Sequence, residues 1–413
     1  MGLGLATGAG GSPVSAGSTV LVAGGGIGGL AAALAVAGPA HPVTVLERNE
    51  HFEELGAGIQ LAPNGLAALE RLGLGEAVRD LAVHIESLRF MDGVTGRHVA
   101  SLPLDGTYRA RFGHPYVVVH RGELHRLLVR ACRRHPWITL RAGAAVTGYR
   151  RDTRGVTVVT ADGEERRGRA LVAADGVHSA VRAQLVGDGA PDVVGITVYR
   201  TVIPMDLVPT ELRSDSVTWW AGPGCHFVHF PIEGGRSLNL APSSETGTTA
   251  AFAGVPLDAA TVRDELGALG PTAHRLLALG RDWRSWSLID RAPTDRWTDG
   301  PVVLLGDAAH PMLHYAAQGA CQALEDAVVL GERWHDDGGA DPAGAFAAFA
   351  AARQGRTADV QRLSRSSIGL WHAAGDDAGR RNEALAGLSS EQLTDHVAWM
   401  HAGEGVRDPA PAT

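Results

Sequence analysis

The sequence predicts an α/β fold: a Rossmann-like domain, a mostly antiparallel β domain inserted into it, and helices at the C-terminal end. Three observations predict it. Three short apolar runs, Val20–Ala23, Ala170–Ala174 and Val302–Leu305, each end in a turn rich in Gly or Asp, as parallel strands do where such sheets bind ligands. Between the second and third, the texture changes to short β-rich runs parted by Gly, Pro and Asp: Val193–Pro204, Val217–Trp220, His226–Ile232 and Ser237–Ala241. Beyond Gln318 the pattern is helical through Leu370, and a last helix carries Glu391–Met400.

In chain order, residues 1–18 are rich in Gly, Ala and Ser, carry no charge and read as a disordered leader. From Val20 to Ala40 no side chain is polar, a length that resembles a membrane span. Two facts oppose that reading. Gly24, Gly25, Gly26, Gly28 and Gly29 crowd the middle, each weakening a lone helix by roughly 1 kcal/mol. No positive charge precedes Arg48, so the charged start of a signal peptide is missing. The run divides instead into a strand, a glycine turn and a helix over Leu30–Val36, followed by a second strand, Pro42–Leu46. Residues 19–82, 112–192 and 288–350 are assigned to the Rossmann-like domain and residues 83–111 and 193–287 to the β domain, with a helical stretch near Ala260–Leu279. Residues 351–404 form the C-terminal helices and residues 405–413 a loose tail.

Composition excludes several functions. All 37 basic residues are arginines, which removes a P-loop lysine and a lysine Schiff base. A net charge of −8 opposes general nucleic-acid binding. Cys132, Cys225 and Cys321 lie far apart, which offers no zinc framework and reads as a reduced, cytoplasmic chain. The 18 histidines are scattered without H-E-x-x-H, so no metal site is expected.

Gly24-Gly25-Gly26-Ile27-Gly28-Gly29 satisfies G-x-G-x-x-G directly after a strand and before a helix. Gly24 permits the tight turn, Gly26 lets a pyrophosphate approach the backbone, and Gly29 lets helix and strand pack closely. The helix N-terminus supplies N–H groups and partial positive charge. Glu47 ends the second strand 18 residues after Gly29, where a carboxylate accepts hydrogen bonds from an adenosine ribose. Together these predict a dinucleotide site. Two further turns go beyond a simple NAD domain: Asp175-Gly176 through Arg182, and Gly306-Asp307-Ala308-Ala309-His310-Pro311. Asp307 suits a ribitol hydroxyl and the Gly319–Ala320 helix start a pyrophosphate or ring carbonyl. Asp175 and Asp307 are equally the residues of ordinary turns and N-caps.

In this order the motifs resemble the single-component FAD-dependent aromatic hydroxylases, the p-hydroxybenzoate hydroxylase-like family. The resemblance runs from about Thr19 to Glu383 and rests on the glycine loop with Glu47-Arg48, the Gly56–Asn64 and His120–His125 segments, the Asp175-Gly176 motif, and Gly306 to Ala327. Leu313–Cys321 with Leu324-Glu325-Asp326-Ala327 look most like the 3-hydroxybenzoate 6-hydroxylase and salicylate hydroxylase branch. The resemblance implies FAD as cofactor, NADH or NADPH as co-substrate, and hydroxylation of a phenolic or related aromatic by O₂ through a flavin hydroperoxide. It places Glu47 on the adenosine ribose, Arg48 beside the adenine, Arg121 along the ribityl–pyrophosphate side, Asp307 on the ribitol, and Asp175 at the pyrophosphate and the visiting nicotinamide. It implies a monomer or homodimer whose partners are small molecules, without nucleic acid or membrane.

Phenol activation needs a base or acceptor in histidine's range. Alternation puts His226, Val228 and Phe230 on one strand face. In the 3-hydroxybenzoate branch the matching face carries a histidine that helps deprotonate the phenol and a tyrosine; here the tyrosine position is Phe230. His314 stands where that branch commonly has glutamine, and His226 and His314 are the catalytic candidates. Tyr116, Pro311 and Arg200 complete the expected substrate contacts, Arg200 as a candidate carboxylate clamp. A halogenase of the same fold would need a lysine and W-x-W-x-I-P, whereas Trp283 and Trp286 are spaced W-x-x-W. The remaining alternatives are a relative that keeps the cofactor site without turnover and a flavoprotein oxidoreductase of the same fold without hydroxylation.

Overall fold

The computed structural model describes residues 18–53 and 57–403. The expected leader (Ser18 excepted), the tail and Gly56 lie outside them.

A five-stranded parallel sheet runs in the order Val302–Leu304, Ala170–Ala173, Val20–Ala23, Val43–Leu46, Ile138–Arg141. The three inner strands are apolar almost throughout because both faces of the sheet are covered. Helix Ile27–Val36 lies against helix Gly319–His335 so closely that a Cβ on Gly331 would stand 2.9 Å from the Ala35 backbone. The strand order changes direction at Val20–Ala23, and ligands bind beyond the carboxyl ends of such strands.

The second sheet has eight strands, ordered Val255–Pro256, Arg284–Asp290, Asp192–Pro204, Ser237–Thr248, Cys225–Ile232, Ser216–Gly222, Ser87–Asp92, His98–Pro103. All pairs are antiparallel except Ser216–Gly222 with Ser87–Asp92. Helices Ala259–Glu265 and Pro271–Leu277 cover one face, where Phe227, Leu238, Leu240, Leu276 and Trp283 are buried. Burial of side chains of this size contributes about 1.5–3 kcal/mol each. The other face looks toward the parallel sheet.

Several boundaries differ from the sequence expectation. The border placed at residue 287 falls inside the strand Arg284–Asp290, whose alternation continues past it. The helical stretch near Ala260–Leu279 is two helices parted at Leu266–Gly270. The C-terminal pattern is likewise divided, into Gly319–His335, Pro342–Trp371, Gly375–Ala386 and Ser390–His401. Two small three-stranded sheets had no strong alternation to reveal them: Gly58–Leu61 with Val117–His120 and Val83–His84, and Val146–Asp152 with Gly155–Thr160 and Glu165–Gly168. Among the described residues no helix is long and apolar enough to cross a membrane, and no group of three or more His, Cys, Asp or Glu is placed to hold a metal ion.

Candidate active site

A cavity of about 760 Å³ extends from the carboxyl ends of the parallel strands to the open face of the eight-stranded sheet. At one end is the glycine loop. Gly24 has φ +101°, and a Cβ there would lie 2.2 Å from the Ala174 carbonyl oxygen. Only glycine tolerates both the conformation and the approach. A Cβ on Gly29 would lie 2.0 Å from the Gly24 carbonyl oxygen, so Gly29 serves helix–strand packing and does not line the cavity. A Cβ on Gly26 would meet nothing, because the backbone there faces the opening. No side chain caps the helix that follows, so its first turn presents N–H groups to the cavity.

Glu47 is placed beside this loop. Its Oε2 accepts from the Gly25 N–H at 2.8 Å and its Oε1 from the Asn49 N–H at 2.9 Å. His125, a residue with no role expected from sequence, donates from Nε2 to the Gly25 carbonyl at 2.7 Å and fixes the loop from the third side. Arg48 and Arg121 line the same part of the cavity. Asp175 lines it too and also serves as a turn residue, since its Oδ2 accepts from the N–H groups of Ala180 (3.0 Å) and Val181 (3.4 Å). Its Oδ1 is buried without a hydrogen-bond partner, and burial raises its carboxyl above the usual range.

Asp307 projects from the turn Gly306–Ala308, which Asp326 holds from beneath. The Gly306 N–H donates to Asp326 Oδ2 at 3.0 Å, and His310 Nε2 meets the same oxygen at 2.6 Å. Arg353 closes this buried cluster through Asp326 Oδ1 at 2.7 Å and Glu325 Oε2 at 2.6 Å. Burial alone would raise the Asp326 carboxyl; His310 and Arg353 outweigh it and bring it down to about 2. Gly319 and Ala320 open a second helix without a side-chain cap onto the cavity, two residues after Ala317 in the left-handed region at φ +52°.

The far end is aromatic. His226, Val228 and Phe230 face the cavity while their neighbours Cys225 and Phe227 pack behind the sheet, as the alternation required. His226 Nε2 lies 3.3 Å from His314 Nε2, and the His314 ring stacks on Tyr315 at 4.9 Å. The Phe230 ring lies against Gly58, where a Cβ would come within 2.3 Å of it. Trp219, Leu288 and Trp371 supply apolar wall. Burial holds His226 well below the ordinary imidazole range, helped by His314 and His372. Burial, with Arg200 and His372 nearby, brings His314 down to about 3. Arg200 also lines the cavity, its guanidinium 5.3 Å from the Trp286 ring centroid, and burial beside Arg121 lowers it to about 10.

Two expected substrate contacts stand back from the cavity. The Tyr116 hydroxyl turns away and donates to Gln60 Oε1 at 2.6 Å, so Gln60 meets the opening in its place. Pro311 is buried behind the wall, its carbonyl accepting from Gln361 Nε2 at 2.8 Å. Both positions have one cause: the direction of a loop residue's side chain is set by packing, not by spacing.

The chain matches the FAD binding domain family over residues 17–334. It is 43% identical to 3-hydroxybenzoate 6-hydroxylase 1 of Aquipseudomonas alcaligenes, an alignment covering 94% of this chain and 98% of that one. It is 32% identical to 3-amino-4-hydroxybenzoate 2-monooxygenase of Streptomyces cremeus over 92% and 94% of the two chains. The protein belongs to the FAD-dependent aromatic hydroxylase family. Among solved structures it is similar to Klebsiella pneumoniae HpxO complexed with FAD and uric acid, at TM-score 0.81 and 26% identity over 93% of this chain and 97% of that one.

The cradle suits the family's cofactor. Gly26 leaves its face clear for a pyrophosphate at a helix N-terminus, and Glu47 stands at the strand end where an adenosine ribose would lie. Two uncapped helix starts, at Ile27 and Gly319, converge on one opening, which complements an extended dinucleotide carrying negative charge. This flavoprotein monooxygenase takes FAD, with NAD(P)H as co-substrate.

Proposed function

We propose that the protein hydroxylates a phenolic aromatic acid of the 3-hydroxybenzoate or salicylate kind. The observation that carries the reading is the pairing of His226 with His314 on the same cavity wall as Arg200, beyond the FAD cradle. The name of the 43%-identical relative supports the substrate class.

FAD, when bound and reduced by NAD(P)H, activates O₂ for transfer of one oxygen atom to the ring. The chain's own residues do the rest. His226, kept neutral by burial, accepts the phenol proton and makes the ring electron-rich. Arg200 binds the carboxylate, a charge-assisted contact that positions the ring. Trp219, Leu288 and Trp371 keep water from the reacting atoms. Glu47, Arg48, Arg121, Asp175, Asp307, Gly319 and Ala320 hold the cofactor around them. The three cysteines are buried and free, which supports a reduced, cytoplasmic setting.

Purified protein loaded with FAD should consume NADH faster with its aromatic acid present and yield hydroxylated product. A panel of hydroxybenzoates, with peroxide trapped by catalase, tests this. If peroxide accounts for all NADH consumption with every ring, hydroxylation is wrong and the alternative of a flavoprotein without hydroxylation stands.

A further inference from the structure

His226 is joined to the protein surface by a chain of contacts. Its Nδ1 lies 2.9 Å from His372 Nε2, and His372 Nδ1 lies 2.7 Å from Glu245 Oε1. The His226 and His372 side chains are almost wholly buried, whereas Glu245 is half exposed. The backbone holds the three in place: the Gly224 N–H donates to the His372 carbonyl and the Glu245 N–H to the Gly224 carbonyl.

These contacts determine which ring nitrogens carry protons. A carboxylate only accepts, so His372 Nδ1 must donate to Glu245. Neutral His372 then has a bare Nε2, which can only accept, so His226 Nδ1 must donate to it. That leaves His226 Nε2 bare, on the side of His314 and the cavity. His314 Nε2 accordingly donates to it, and His314 Nδ1, buried with no partner, is an acceptor.

We infer that His372 and Glu245 are positioning residues that hold His226 in its Nδ1–H tautomer, and that Glu245 is the surface end of a proton path from the substrate phenol. This rests on the phenol hydroxylation proposed above. The path balances in three transfers. Once the phenol O–H replaces the His314 Nε2–H at the single lone pair of His226 Nε2, the phenol proton passes to that nitrogen, the Nδ1 proton of His226 to His372 Nε2, and the Nδ1 proton of His372 to Glu245 Oε1 and on to water. The ring is left as phenolate and one proton reaches solvent; a proton returning by the same route restores both tautomers. The groups facing this path are His314 and Tyr315 from the turn His314–Ala316, with the Tyr315 hydroxyl 3.2 Å from His372 Nε2. Trp371 packs beside His226, and Arg200 acts on the path through His314. The nearer His226 Nδ1–H, at 2.9 Å, has first claim on the single lone pair of His372 Nε2, with the Tyr315 hydroxyl a more distant neighbour.

The test has two readouts on FAD-loaded protein. In ¹⁵N NMR of histidine-labelled enzyme, assigned with His226→Ala and His372→Ala, wild-type His226 should be protonated at Nδ1 and bare at Nε2. In Glu245→Leu both tautomers should become populated. An Nε2-protonated His226 in the wild type, or one unaffected by Glu245→Leu, overturns the inference whatever the substrate proves to be. In turnover with 3-hydroxybenzoate, Glu245→Leu and His372→Ala should lower kcat about tenfold or more with KM within about twofold, and Glu245→Asp should recover part of the loss. Unchanged kcat, or a loss confined to KM, also overturns it. A wild-type enzyme that hydroxylates no phenolic acid sinks the substrate reading alone, because the NMR assignment is made without turnover.

Discussion

Arg353 Nε lies 2.7 Å from Asp326 Oδ1, and neither side chain reaches solvent. The other oxygen of that carboxylate carries the Gly306 N–H and His310, so one buried ion pair supports the turn that presents Asp307. Removing one partner of a buried pair leaves a charge uncompensated, which costs about 3–5 kcal/mol. Arg353→Met should therefore lower unfolding free energy by that order in urea titration and weaken FAD binding. A variant as stable as wild type would show that the cluster relaxes without loss.

Acid should act in two stages. His226, His229 and His401 are buried and neutral, His229 and His401 being pushed down to about 3 by burial. In the unfolded chain such groups take up protons below about pH 6.5. The unfolded state then binds more protons, so stability falls as pH drops from about 6.5, by about 1 kcal/mol per pH unit for each histidine. Asp326 adds a later loss: its contribution is complete above the unfolded carboxylate range, near 4, and vanishes as pH falls toward about 2. Urea midpoints at pH 7, 6 and 5 check the first stage, and a flat profile would contradict the buried neutral histidines.

His226→Ala should keep FAD bound, since His226 stands at the far end of the cavity from the glycine loop. Hydroxylated product should fall at least about 100-fold, the scale of a lost general base. Product formation at the wild-type rate would reduce His226 to a packing residue.

Arg200→Met keeps length and apolar contact but removes the charge. A hydrogen bond to a charged group contributes about 1.5–3 kcal/mol, so KM for a carboxylate substrate should rise roughly 10- to 100-fold. A phenol lacking the carboxylate should be unaffected. Equal effects on both would place the acid group elsewhere.

Two glycines of one motif should fail differently. Gly29→Ala forces a Cβ onto the Gly24 carbonyl, so the loop must shift and the protein should be destabilised even without cofactor. Gly26→Ala has open space and an ordinary φ of −76°, so it should fold normally yet bind FAD at least about tenfold more weakly. Thermal melts and flavin fluorescence quenching separate the two.

The geometry of the glycine loop and Glu47 was legible because its parts are local. Gly24, Gly26, Gly29 and Glu47 sit within one strand–loop–helix–strand unit, where spacing dictates geometry. The pocket face of Cys225–Ile232 was legible for the same reason, since period-two alternation sorts His226 from Phe227. The direction of Tyr116 was not legible, because its hydroxyl satisfies Gln60, a partner 56 residues away. His372 and Glu245 escaped entirely: they lie 146 and 19 residues from His226, and nothing in a helix-end histidine or a strand glutamate announces a hydrogen bond across that separation. Arg353 and Asp326 are similar, since buried charge is invisible until the fold buries it.

The strand Cys225–Ile232 has its two faces in different surroundings, one on the cavity and one on the apolar layer beneath the short helices. Positions 228 and 230 can thus change without disturbing the packing of 225 and 227, while His226 stays in place as the base. A lineage could exchange one aromatic acid for another through a few substitutions along a single ribbon, while inheriting its oxygen chemistry intact.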